Sequence, residues 1–157
     1  MELGIFLPIS GRAAGPETLT AAAEQAERCG FGAVWSAERI VQPWEIRTPY
    51  PYSDDNVFIV PPDRPFLDSM SCLAFLAGRT ERIKLGISVL VLPYRHPLYW
   101  ARVAASVDLL SGGRFILGAG CGWMAEEFAA LGVDYAARGR ITDEQLQVLR
   151  RLWAEAR

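Results

Sequence analysis

Four times along this chain a short apolar run is followed by a stretch whose apolar residues recur at helical spacing, and this alternation is the pattern of a parallel sheet covered by helices. Leu3 to Pro8 is a near-continuous apolar run, as expected of a strand buried on both faces. Gly15-Pro16 opens a helix because proline's fixed φ suits the first helical position. Its Leu19, Ala22, Ala23 and Ala26 share one face, and Gly30 is placed to stop it in the left-handed conformation. Ala33 to Ser36 is the second strand. Asp68 to Arg79 reads as a helix capped by Asp68. Ile83 to Leu92 is the third strand, and Pro97 opens a helix carrying Leu98, Val103, Val107 and Leu110. Ser111-Gly112-Gly113 turns the chain into the fourth strand, Arg114 to Ala119. A short helix follows near Met124 to Leu131. The last begins at Thr142, where Thr142 and Gln145 form a capping box ahead of Leu146, Leu149 and Trp153.

Two architectures have this alternation. A doubly wound open sheet usually carries a glycine-rich phosphate turn after its first strand. The turn here, PISGRAAGP, lacks the G-x-G-x-x-G spacing. A barrel instead places its functional loops after every strand, on the C-terminal face. Residues 37–67 follow strand two and hold six of the ten prolines, together with Trp44, Tyr50, Tyr52 and Phe58. A loop this long is usually functional or mobile. Its aromatics either cover a pocket or pack the loop onto its own scaffold. With a glycine-rich loop after strand four as well, the fold expected is α/β, the N-terminal half of a TIM-type (β/α)8 barrel, with 1–157 as a single partial barrel domain.

A net charge of -2 with no cluster of Lys and Arg gives no footprint for nucleic acid or an anionic membrane. The expected partner is therefore a small molecule or a second copy of the chain. Cys29, Cys72 and Cys121 fit neither a disulfide framework nor a metal spacing, and the single histidine argues against a His-based metal site. No signal-peptide pattern or apolar stretch of spanning length is present. A reduced, cytoplasmic protein is the expectation.

The loop after strand four reads GAGCGWMAEEF, in which Gly118, Gly120 and Gly122 alternate. Such a loop lets the backbone approach a flat ring or a phosphate, although glycines at a strand-to-helix turn are often only steric. Trp123 either stacks beside a ring or plugs the barrel mouth. His96 is a candidate acid or base, or it satisfies backbone groups ahead of Pro97. Cys121 is either a thiol nucleophile or a small filler, the latter favoured because no basic partner is evident.

Strand three reads LGISVLVLPYRHP, strand two ends VWSAERI, strand four is led by LLSGGRFILG, and the last helix carries DEQLQVLRRLW. In this order the four segments resemble the luciferase-like monooxygenase family of bacterial luciferase-type oxidoreductases, and within it the branch using coenzyme F-420, a deazaflavin. The resemblance implies a complete eight-stranded barrel binding flavin mononucleotide (FMN) or the deazaflavin at its C-terminal face. It implies a non-prolyl cis peptide bulge at Ser88-Val89, with Ser88 and Val89 backing the ring and Gly118, Gly120 and Gly122 flanking it. The implied chemistry is hydride transfer or flavin-dependent monooxygenation of a small organic substrate.

At strand two the chain departs from that pattern. Relatives often read Ser-Glu-His or Ser-Asp-His, whereas this chain has Ser36-Ala37-Glu38-Arg39. Arginine stays protonated and cannot act as a general base. Arg39 either holds negative charge on a cofactor or substrate, or forms a structural ion pair with a nearby carboxylate. Glu38 remains as a polar group facing the ring. A full barrel runs to about 250 residues, often with its phosphate site after strands seven and eight. The alternative to an enzyme is thus a non-catalytic half-barrel that folds and self-associates through its unpaired strand edges.

Overall fold

A computed structural model of the chain describes residues 2–154. Its strands are β1 (Gly4–Phe6), β2 (Ala33–Ser36), β3 (Lys84–Val91) and β4 (Phe115–Gly120). Its helices are α1 (Pro16–Arg28), α2 (Ser69–Ala77), α3 (Pro97–Ser111), α4 (Ala125–Ala130) and α5 (Arg138–Ala154). The strands form one parallel sheet in the order β1-β2-β3-β4. Successive parallel neighbours joined by helices are the arrangement from which a βα-barrel is built. Among the described residues no helix is long and apolar enough to cross a membrane.

Alternation along the strands divides the sheet into two faces. Ile5, Val34, Leu85, Ile87, Phe115 and Leu117 turn toward the helices and pack with Leu19, Leu73, Leu76 and Trp100 in the main core. On the other face the Trp35 indole lies across Gly4 and Gly86, in space a side chain at either position would occupy. This is the face a closed barrel would enclose, and here Phe6 is 63% exposed. The structure thus corrects the expectation that β1 is buried on both faces. It is an edge strand whose Gly4 and Phe6 are exposed on the face away from the helices.

Local signals work well where they act within a few residues. Asp68 caps α2 by accepting the Ser71 N–H at 2.8 Å. Gly30 ends α1 at φ +79°, and the Phe31 N–H returns to the Ala26 carbonyl at 3.0 Å. Other expectations fail. α5 begins at Arg138, so Thr142 and Gln145 lie inside it and form no capping box. Thr142 Oγ1 donates to the Arg138 carbonyl at 2.8 Å, and Gln145 Nε2 donates to the Arg95 carbonyl at 3.2 Å. The helix starts earlier because Tyr135, whose hydroxyl donates to the Trp123 carbonyl at 3.0 Å, gives Arg138 a ring to pack on at 4.0 Å. In α3 the buried stripe is Trp100, Ala104, Val107 and Ser111, while Leu98 and Leu110 face outward.

At the N-terminal side of the sheet one arginine gathers several chain ends. The Arg114 guanidinium donates to the carbonyls of Ser111 (2.6 Å), Ile83 (2.8 Å), Thr80 (2.9 Å) and Ala77 (3.1 Å), and to Thr80 Oγ1 (2.9 Å). It joins the ends of α2 and α3 to the start of β3. The opposite, C-terminal side is thereby left to the loops.

Candidate active site

A cleft of about 1170 Å³ opens at the C-terminal ends of the strands. β3 supplies its floor. Most of that strand is buried, but Ser88 and Val89 are exposed, Val89 by 40%, and both line the cleft. The Ser88-Val89 peptide is cis, as the resemblance implied, and the pairing with β4 shifts by one residue between Ser88 and Leu90. β4 accommodates the bulge with glycine. A Cβ on Gly118 would meet the Ile87 carbonyl oxygen, and one on Gly120 would meet the Val89 side chain. Gly122 has φ +78°, and a Cβ there would come within 2.7 Å of Val91 and 2.8 Å of Phe128. These three glycines are therefore required by strand packing and turn geometry. Gly120, Gly122 and Trp123 line the cleft; Gly118 lies within the sheet and does not.

Glu38 and Arg39 leave β2 at the cleft's base. The Glu38 carboxylate accepts the Val91 N–H at 2.5 Å and an Arg95 N–H at 2.9 Å. Arg95 in turn lies over Trp100 at 4.8 Å and near Asp68 at 3.8 Å. Burial raises the Glu38 carboxyl to about 7, helped by the negative charge of Glu127 and opposed by Val91 and Arg95. Its proton affinity thus sits where a group can both take up and release a proton.

Arg39 forms a buried ion pair with Glu127 of α4, with the two side chains 8% and 0% exposed. The structural alternative for Arg39 is thereby realised. Glu127 also accepts the N–H groups of Ile40 (2.7 Å) and Val41 (3.0 Å) and the Tyr94 hydroxyl (2.7 Å). Desolvation and the adjacent Glu127 charge push the Tyr94 hydroxyl far above its ordinary range. The neighbouring Glu126 accepts the N–H groups of Arg47 (2.8 Å) and Thr48 (3.0 Å) and the Thr48 hydroxyl (2.8 Å). Burial would raise Glu126, but these hydrogen bonds outweigh it and leave the carboxyl lowered. Two adjacent carboxylates of α4 therefore anchor the insertion at its start and at Thr48. Sequence reasoning foresaw a carboxylate beside Arg39 without naming it; the signal was the pair Glu126-Glu127 directly after the glycine loop.

The insertion's aromatics both pack the loop and border the cleft. Tyr50 meets Phe58 at 5.3 Å and Trp123 at 5.0 Å between ring centroids. The Arg39 guanidinium lies over Phe58 (4.9 Å) and Trp123 (5.4 Å). Of the two readings of His96, acid or base and backbone-satisfying group, the structure has the second. The residue is exposed, does not line the cleft, and caps α3, its Nδ1 accepting the Leu98 N–H at 3.3 Å. Cys121 is a free, exposed thiol at the cleft's edge.

A parallel four-stranded sheet in sequential order, with its cleft at the strands' C-terminal ends, defines the N-terminal half of a TIM-barrel enzyme fold. The chain belongs to the luciferase-like monooxygenase family, whose model matches residues 1–157. It is 35% identical over 131 residues to limonene 1,2-monooxygenase of Rhodococcus erythropolis, covering 83% of this chain and 29% of that protein. An uncharacterised Mycobacterium tuberculosis protein is 33% identical over 158 residues, covering 99% of this chain and 54% of the relative. Among solved structures, the monooxygenase RslO1 of Streptomyces bottropensis superposes with a TM-score of 0.75 at 28% identity, covering 99% of this chain and 44% of that one. Two more distant structures share the fold, each covering 98% of this chain. One is the oxygenating constituent of 3,6-diketocamphane monooxygenase of Pseudomonas putida in complex with FMN, with a TM-score of 0.73 at 22% identity over 39% of its length. The other is a coenzyme F-420-dependent secondary alcohol dehydrogenase with an F-420-acetone adduct, with a TM-score of 0.73 at 20% identity over 42% of its length. The chain spans about half or less of the length of these proteins.

Proposed function

We propose that this chain forms the ring-side half of the cofactor site of a luciferase-like oxidoreductase acting on a small organic molecule, with coenzyme F-420 as first choice and FMN as second. The observation that carries this reading is the exposure of Ser88 and Val89 between the buried Ile87 and Leu90 of β3, at the floor of the cleft. A flat ring fits there, because Gly120 leaves room for the Val89 side chain to lie back against β4. Relatives of this fold hold FMN in one structure and an F-420 adduct in another. The order of preference follows the likeness of the sequence motifs to the deazaflavin branch. When bound, such a ring supplies two-electron hydride chemistry, and FMN also supports oxygenation.

This chain's own residues divide the remaining work. Ser88 and Val89 support the ring, and Trp123 with Phe58 shields its edge from water. Glu38 holds or releases a proton at its carboxyl oxygen near neutral pH. Arg39 is committed to Glu127 and handles no proton. Fluorescence titration of the purified chain with F-420 and with FMN tests the reading. Saturable micromolar binding of one of them is the expected result, and its identity selects the chemistry. No saturation by either at high micromolar ligand would overturn the proposal.

A second reading is favoured by the open edges of β1 and β4 and by the exposed Phe6. On its own, the chain then pairs with a second copy and works as a non-catalytic half-barrel.

A further inference from the structure

Among the described residues lining the cleft, Glu38 is the one carboxylate, and the charge that holds it lies outside the cleft. Arg95 does not line that space, and its side chain is 28% exposed against 3% for Glu38. The guanidinium lies over the rings of Trp100 (4.8 Å) and Tyr99 (5.6 Å). Trp100 is itself fixed, its indole N–H donating to the Leu92 carbonyl at 3.0 Å, and Gln145 of α5 donates to the Arg95 carbonyl at 3.2 Å. A guanidinium stacked on fixed rings loses little freedom when it meets a carboxylate.

Glu38 is a bridge. One of its oxygens accepts the Arg95 N–H at 2.9 Å and the other the Val91 N–H at 2.5 Å. Val91 is the last residue of β3, two beyond Val89, and the loop after β4 packs on it at Gly122. A carboxylate accepts both bonds more strongly than the neutral acid does. Of the charged groups near Glu38, Arg95 favours the carboxylate and Glu127 of α4 opposes it. Arg39 and the Tyr94 hydroxyl are both engaged by Glu127. Asp68, at the start of α2, lies 3.8 Å from Arg95 and draws on the same guanidinium.

Resting on the reading of Ser88 and Val89 as the ring's floor, we propose that Arg95 is a positioning residue: from outside the cleft it keeps Glu38 a carboxylate seated on the Val91 N–H, and so fixes the end of β3 beside that floor. Asp68 tempers this hold by competing for the guanidinium. Carbon-13 NMR of the Glu38 carboxyl in the full chain, assigned with Glu38→Gln, follows its ionisation directly. Arg95→Gln is expected to raise the midpoint by about 1–3 pH units and to speed hydrogen exchange of the Val91 amide about tenfold or more. Arg95→Lys, which keeps the charge, is expected to return most of the midpoint. Asp68→Asn, which keeps an oxygen to cap α2, is expected to lower it. A midpoint unmoved in folded Arg95→Gln, or one that Asp68→Asn leaves in place or raises, overturns the proposal. So does a raised midpoint with unchanged Val91 exchange, because Arg95 would then act on charge without fixing the strand. None of these measurements uses F-420 or FMN, so a chain that binds neither overturns the ring reading and leaves the hold of Arg95 on Glu38 and Val91 to stand or fall on its own shifts.

Discussion

Glu38 shows what burial does to a single residue. Its carboxyl sits near pH 7 in the folded chain against an ordinary value of 4.5. Between those values the folded state holds a proton that the unfolded chain has released, so stability falls as pH rises through that window. Glu38→Gln removes this titration. Urea denaturation at about pH 5 and about pH 7.5 should show a difference in unfolding free energy smaller by about 1–3 kcal/mol in the variant than in the parent. An unchanged difference would mean that Glu38 titrates at its ordinary value. Arg39, the next residue, illustrates the opposite outcome: a guanidinium beside a carboxylate keeps its charge, and its role is to hold chain segments together.

At the scale of elements, the insertion and α4 form one unit. The insertion has no helix of its own, and its order comes from Glu126, Glu127 and the Tyr50-Phe58-Trp123 contacts. Glu127→Gln keeps acceptors for Ile40 and Val41 but leaves the buried Arg39 charge unpaired. Removing one partner of a buried pair costs about 3–5 kcal/mol, and a loss of that size is expected in chemical denaturation. Limited proteolysis should also nick residues 37–67 faster in the variant; an unaltered cleavage rate would show that Glu126 and the aromatic contacts hold the loop without the ion pair. His96 belongs to this scale too, because its ring completes the first turn of α3 rather than facing the cleft.

Taken whole, the molecule covers one face of its sheet and leaves the other open. Helices shield the Val34, Leu85 and Ile87 side, while Phe6 and the edges of β1 and β4 meet solvent. Unpaired parallel edges template pairing with another chain. Sedimentation of the isolated chain at micromolar concentration is expected to give a dimer or larger species. A stable, well-folded monomer would rule out self-pairing and leave the open face to another segment.

The sequence by itself determined the elements and their order. Proline and glycine positions, the Asp68 cap and the apolar periods act within about four residues, so β2, α1, α2 and β3 were legible from local chemistry, and the Ser88-Val89 bulge from the family's motif. Tertiary structure decided the rest. Arg39 and Glu127 lie 88 positions apart, and no spacing rule links them; they meet because the loops after β2 and β4 converge at one end of the sheet. α5 begins before its apparent capping box because Tyr135 offers Arg138 a packing surface. His96 caps a helix outside the cleft, where the chain turns from β3 into α3 and the Trp100 indole N–H donates to the Leu92 carbonyl. Local order is encoded by short-range sterics and hydrogen bonding, whereas the partners of a charge or a ring are set only when distant strands are brought side by side.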